Sequence, residues 1–169
     1  IPLGIDYHFL SKKLAPIKQE NNLVSIYRNS LPFDKRLDLC YSFFQFQMFN
    51  RHNRDRYRAK KALDNVNFNV YQNKKIPREQ TWKNMTKYKW IISPHGNGLD
   101  CHRTYEAIAL GCIPVVKTST LDILYKDMPI IILNDWDEIS LELLKSKTKE
   151  ALKKYKETIT LNHWIKKIH

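Results

Sequence analysis

Between Ser93 and Val116 the chain reads Ser-Pro-His-Gly-Asn-Gly-Leu-Asp-Cys-His-Arg-Thr-Tyr-Glu-Ala-Ile-Ala-Leu-Gly-Cys-Ile-Pro-Val-Val. Residue types suited to holding a phosphate and a ribose are concentrated in this stretch. An apolar strand expected over Trp90–Ser93 runs into a glycine loop, and the loop opens a helix expected from Cys101 to Leu110. Gly96 and Gly98 are expected to admit positive φ and to let a ligand approach the backbone closely. Asp100 suits the N-cap, which puts Cys101, His102 and Arg103 in the first turn. A helix N-terminus carries about half a positive charge and disfavours a cation there by about 0.3–1 kcal/mol. An anion in the site reverses that penalty, because helix N-termini bind phosphate and a guanidinium grips two phosphate oxygens together.

Glu106 follows Arg103 by three residues and is expected beside it, on the face opposite an apolar stripe of Tyr105, Ile108, Ala109 and Cys112. Its carboxylate can accept from both hydroxyls of a ribose. As an isolated exposed ion pair, Arg103–Glu106 would contribute only about a few tenths of a kcal/mol. Flanked by the glycine loop, the capping acid and two strands, the pair reads as part of a nucleotide site. The ordinary pKa of His95 suits a general base, although a loop histidine beside glycines more often contacts ligand. The spacing of His95, Asp100, Cys101 and His102 matches no zinc pattern, and no metal is expected.

These residues need a scaffold, and the chain alternates short apolar strands with helices. Strands are expected over 36–46, 68–71, 90–93, 113–116 and 129–133. Helices are expected over 51–65, 77–88, 101–110, 121–126 and 140–155. Such alternation indicates an α/β domain, a Rossmann-like and mostly parallel sheet of five or six strands with helices on both faces. Ligands then bind beyond the carboxyl ends of the strands, where the glycine loop falls. Residues 1–22 have no place in the alternation and read as a linker or edge segment from another domain; residues 23–169 form the Rossmann-like domain. In the basic run Arg51–Lys61, Arg51, Arg54 and Arg58 share a helical stripe that reads as a solvated face. Arg54 or Arg56 can nevertheless reach a diphosphate from that helix start.

The 169 residues are 43% hydrophobic and 12% aromatic, as expected of one globular core, and their formal net charge is +12. That charge attracts anions such as nucleotides, nucleic acid or acidic glycans, yet it is scattered and dominated by lysine. No run approaches the roughly 20 apolar residues that cross a bilayer, and no signal peptide is visible at the start. Cys40, Cys101 and Cys112 lack CxxC spacing, which mildly favours a reducing, cytoplasmic setting.

The pattern Ser93-Pro-x-Gly-x-Gly-x-Asp-Cys-x-Arg-x-x-Glu-Ala-x-x-x-Gly-Cys-x-Pro-Val resembles the C-terminal half of exostosin-like glycosyltransferases, over about Trp90–Asp135. The resemblance implies half of a GT-B fold, in which two Rossmann-like domains face each other and the C-terminal one holds the donor nucleotide. It implies a sugar moved from a UDP- or GDP-sugar to a hydroxyl on a glycan or glycoprotein acceptor, with no further cofactor and no essential metal. Arg103, Glu106 and His95 are the implied catalytic set. The implied donor contacts are Ser93, His95, Gly96, Asn97, Gly98, Asp100, Arg103, Glu106, Lys117 and Ser119, with Glu106 on the ribose and Arg103 on the diphosphate. An N-terminal GT-B half, on the same gene or a separate chain, is the implied partner, and a Golgi lumen is the setting if the chain is a fragment of a membrane-anchored enzyme. The alternative is a noncatalytic basic module for nucleic acid or an acidic polymer. No DNA recognition-helix signature is present, and that alternative leaves the glycine loop and Glu106 without a purpose.

Overall fold

The computed structural model describes residues 4–5, 16–45, 52 and 54–154. Its strands are β1 (Leu37–Ser42), β2 (Asn69–Tyr71), β3 (Tyr88–Ile92), β4 (Ile113–Lys117) and β5 (Ile131–Leu133). They form one sheet in the order β2-β1-β3-β4-β5, and every pairing is parallel. The helices are α1 (Pro16–Arg28), α2 (Asp55–Leu63), α3 (Arg78–Met85), α4 (His102–Ala109), α5 (Asp122–Tyr125) and α6 (Leu141–Lys153). The expected α/β class holds, with five strands. Phe46, Arg51 and Tyr155, which bound three of the expected elements, lie outside the described residues.

Alternation along each strand assigns the two faces of the sheet. Trp90, Ile92, Ile113 and Val115 pack with Ala59, Ala62 and Leu63 of α2 and with Leu144 and Ala151 of α6. Tyr41 and Ile91 look the other way, toward Leu23 and Ile26 of α1, Trp82 and Met85 of α3, and Ala107 of α4. A third cluster joins Tyr105 and Ile108 of α4 to Val116, Tyr125 and Ile130. Helix α1 crosses the boundary expected at residue 22. Its buried residues are Leu23 and Ile26, both in its second half, and the polar run Lys18–Asn22 before them masks the helical period.

The chain order creates a crevice. From β1 the chain passes through α2 on one face to the outer strand β2. From β3 it passes through α4 on the opposite face to β4. Adjacent strands β1 and β3 thus send their following segments apart, and in sheets of this kind that divergence is where ligands bind.

Gly111 closes α4 in a Schellman turn, with Cys112 N–H donating to the Ala107 carbonyl (2.8 Å) and Gly111 N–H to that of Ile108 (3.0 Å). Gly111 has φ +75°, and a Cβ there would lie 2.9 Å from the Tyr27 ring and 3.0 Å from Arg36 Nη2. The buried Arg36 guanidinium donates to the Gly111 carbonyl (2.8 Å) and the Leu31 carbonyl (3.0 Å), tying this turn to the segment before β1. Gly111→Ala is therefore expected to destabilise the fold by about 1–3 kcal/mol in urea unfolding, since it combines a left-handed backbone with that collision. Gly98→Ala, where a Cβ would meet only the Asp100 backbone at an ordinary 3.8 Å, should shift stability by no more than about 0.5 kcal/mol.

Candidate functional site

The glycine loop leaves β3 with Ser93 still bonded into the sheet, its N–H donating to the Val115 carbonyl at 2.8 Å. The buried Ser93 hydroxyl lies 2.9 Å from Thr104 Oγ1 and accepts from Arg103 Nε at 3.3 Å. Beyond it the loop turns tightly, Gly96 N–H donating to the Gly98 carbonyl at 2.9 Å. The expected positive φ at Gly96 and Gly98 is absent: among the described glycines only Gly4 and Gly111 have it. Gly96 serves close approach instead, because a Cβ there would stand 2.7 Å from Arg56 Nη2 and 3.1 Å from Cys101 Sγ.

The helix start also differs from expectation. Cys101, in extended conformation, is the residue that precedes α4, and no side chain caps the helix. Asp100 is drawn away by stronger donors. Its carboxylate accepts from the hydroxyls of Tyr105 (2.8 Å) and Tyr125 (2.9 Å) and from Cys101 N–H (3.0 Å). Burial and the neighbouring Asp100 charge hold the Tyr125 hydroxyl well above its ordinary pKa. It therefore remains a donor, and Asp100 ties the loop to α5.

His95 is gripped at both ends of its peptide unit by consecutive residues of α2. Its N–H donates to Asp55 Oδ2 at 2.8 Å, and its carbonyl accepts from Arg56 Nε at 3.1 Å. The other Asp55 oxygen accepts from the Trp136 indole at 2.7 Å, and Asp55 is only 1% exposed. The His95 ring is buried too, with Nδ1 3.0 Å from the Leu99 carbonyl and Nε2 4.0 Å from Asp55 Oδ2. His52 sits edge-on to that ring, centroids 5.9 Å apart, and its Nε2 is 3.3 Å from the Asn97 carbonyl. His102 Nδ1 meets the Gly4 carbonyl at 2.8 Å. Asp55, which holds the loop, is thus the residue that the sequence concealed, within a run otherwise read as a solvated basic face. An acid in the first turn of a helix following a central strand is its one visible signal.

Arg103 and Glu106, expected side by side, turn to different partners. Arg103 donates from Nη2 to the Pro94 carbonyl at 2.9 Å, and its guanidinium stacks 5.6 and 5.7 Å from the Phe43 and Phe44 ring centroids. Burial pushes its pKa down to about 10, with Arg56 adding to the fall and Cys101, Glu106 and Asp55 opposing it. The group stays cationic at neutral pH, in surroundings that disfavour its charge. Glu106 is buried, and its Oε1 accepts from both Nε (3.1 Å) and Nη2 of Arg78, the first residue of α3. Arg78 also stacks 5.0 Å from the Trp82 ring centroid. The expected stripe on α4 is too narrow, because Thr104 and Ala107 are also fully buried.

A hollow of about 700 Å³ opens over the loop, walled by Arg56, Gly96–Arg103 and Leu121. It gathers Gly96, Asn97, Gly98, Asp100 and Arg103 of the expected contacts. Ser93, His95, Glu106, Lys117 and Ser119 are outside its lining. Lys117 lies 3.5 Å from Asp135 Oδ2, an oxygen shared with Arg58 at 2.5 Å. Ser119 lies in the turn before α5, its N–H donating to Asp122 Oδ1 at 2.9 Å and its hydroxyl accepting from Leu121 N–H at 3.1 Å. No helix among the described residues is long and apolar enough to cross a membrane.

Residues 46–169, well over half of the chain, match a protein family described as the RXYLT1 C-terminal domain. Comparison with curated proteins gave no match. The matched span contains the glycine loop and every residue that walls the hollow.

Asp55→Ala would strip the acceptor from both the His95 N–H and the Trp136 indole. A buried donor left unmet costs about 1–3 kcal/mol, so the variant should lose about 2–5 kcal/mol in urea unfolding. A loss within about 0.5 kcal/mol, the range of an ordinary surface substitution, would contradict the clamp.

Proposed function

The chain belongs to the RXYLT1 C-terminal domain family of exostosin-like glycosyltransferases, and on that premise we propose that it is the donor-binding half of a GT-B enzyme. In this reading the hollow takes the diphosphate of a UDP- or GDP-sugar, and the sugar passes to a hydroxyl of a glycan or glycoprotein acceptor. The observation that carries the proposal is the coincidence of three features. The hollow lies where the segments after β1 and β3 diverge, the uncapped N-terminus of α4 opens beside it, and the half-buried cation Arg103 lines it.

The chemistry follows from where charge develops. As the bond from the anomeric carbon to the diphosphate oxygen breaks, its electron pair goes to the leaving group and the sugar acquires oxocarbenium character. Arg103 and the first amides of α4 meet the growing negative charge, already oriented and partly out of water, where such contacts are worth most. Acceptor deprotonation falls to the N-terminal GT-B half. Glu106 is assigned to the ribose: Arg78 occupies Oε1, and a carboxylate offers about four acceptor positions, so Oε2 remains for hydroxyls.

Isothermal calorimetry with UDP and GDP tests these roles. Arg103→Ala should weaken the nucleotide that binds by about 10- to 100-fold, the worth of a charge-assisted hydrogen bond. Glu106→Gln should weaken it by about tenfold. Unchanged affinity in Arg103→Ala refutes the site, and a Glu106→Gln effect on melting temperature alone returns Glu106 to a purely structural pairing with Arg78. The net charge of +12 favours one other reading, a module for acidic polymers. Such binding should fall steeply with salt as counterions are released, whereas nucleotide binding in the hollow should fall much less.

A further inference from the structure

Arg56 reaches the hollow from α2, on the other face of the sheet from the helix that carries Arg103. Its placement is fixed twice. Asp55, the residue before it, is buried and bonded to both the glycine loop and Trp136. Arg56 Nε itself donates to the His95 carbonyl at 3.1 Å. The space that Gly96 leaves empty is taken by its Nη2, which would sit 2.7 Å from a Cβ at that position. Burial lowers the pKa of Arg56 as it does that of Arg103, and the Arg56 charge adds to the fall at Arg103.

Two like charges brought into one hollow, both drawn partly out of water, are unfavourable alone. One phosphate group matches one guanidinium fork, whereas a pyrophosphate offers two phosphoryl centres and a larger charge. The geometry points to Arg56 as the second cation of this site, the residue that makes the hollow select a pyrophosphate group over a single phosphate. Asp55 is then a positioning residue, acting through the loop and through Arg56. This inference rests on the donor-site reading above and adds a residue and a selectivity to it.

Calorimetry on the 169-residue chain with UDP, UMP, GDP and GMP tests it, using wild type, Arg56→Gln and Arg103→Ala. For whichever base binds, Arg56→Gln should weaken the diphosphate by roughly tenfold or more and the monophosphate by about twofold or less, so the diphosphate preference collapses. If Arg56→Gln melts below the assay temperature, Arg56→Met keeps the apolar stem and carries the same expectation. A purely structural Arg56 would weaken both nucleotides alike, and an unchanged ratio overturns the inference. If Arg103→Ala loses the diphosphate while Arg56→Gln keeps the ratio, Arg56 alone is refuted and the donor site stands. If neither diphosphate binds wild type, both fail.

Discussion

A carboxylate removed from water has to be met by donors, and Asp55 is met by two that come from distant parts of the chain. The His95 amide arrives from the end of β3, and the Trp136 indole from the turn after β5. Around this one side chain the start of α2, the glycine loop and the far edge of the sheet are held together. Arg56 and His52 add contacts to the loop on the same side. Asp100 performs the matching task on the other flank, bound by Tyr105 and Tyr125 hydroxyls. Two acids thus hold the loop from either side, while the cations Arg56 and Arg103 line its hollow.

The sheet explains why this arrangement falls where it does. Right-handed crossovers carry α2 to one face and α4 to the other as the winding reverses between β1 and β3. Only at that reversal can side chains from both helix layers meet above the strand ends. Arg56 and Arg103 come from those two layers. A chain with the same loop but a single winding direction would bring one cation there. The basic run that begins α2 thereby places one member, Arg56, in the hollow, while Arg58 is taken up by Asp135.

The scaffold was legible because its signals are local. Short apolar runs bounded by Pro, Gly and Asn identified all five strands, and the parallel arrangement followed from the helices between them. Helix α1 escaped because two buried residues following Gln, Glu and Asn leave too weak a period. In the loop, the sequence singled out Gly96, Asn97, Gly98, Asp100 and Arg103, which the structure gathers around one hollow, but several have a physical task other than the one expected. Gly96 makes room for a neighbouring guanidinium instead of adopting positive φ, and Asp100 answers two tyrosines instead of capping α4. Those outcomes depend on Arg56, Tyr105 and Tyr125, whose arrival is decided by tertiary packing. The Glu106–Arg78 pairing spans 28 residues and leaves no trace in local spacing. Asp55 was hidden for a related reason, since nothing near it in sequence declares its two partners.

Hydrogen–deuterium exchange with and without saturating UDP or GDP is the most direct examination of the central claim. If the hollow at the β1/β3 divergence holds the nucleotide, protection should appear in the loop from Pro94 to Arg103 and at the start of α2. Tight binding with protection confined to other parts of the sheet, or no protection with either nucleotide, would contradict it.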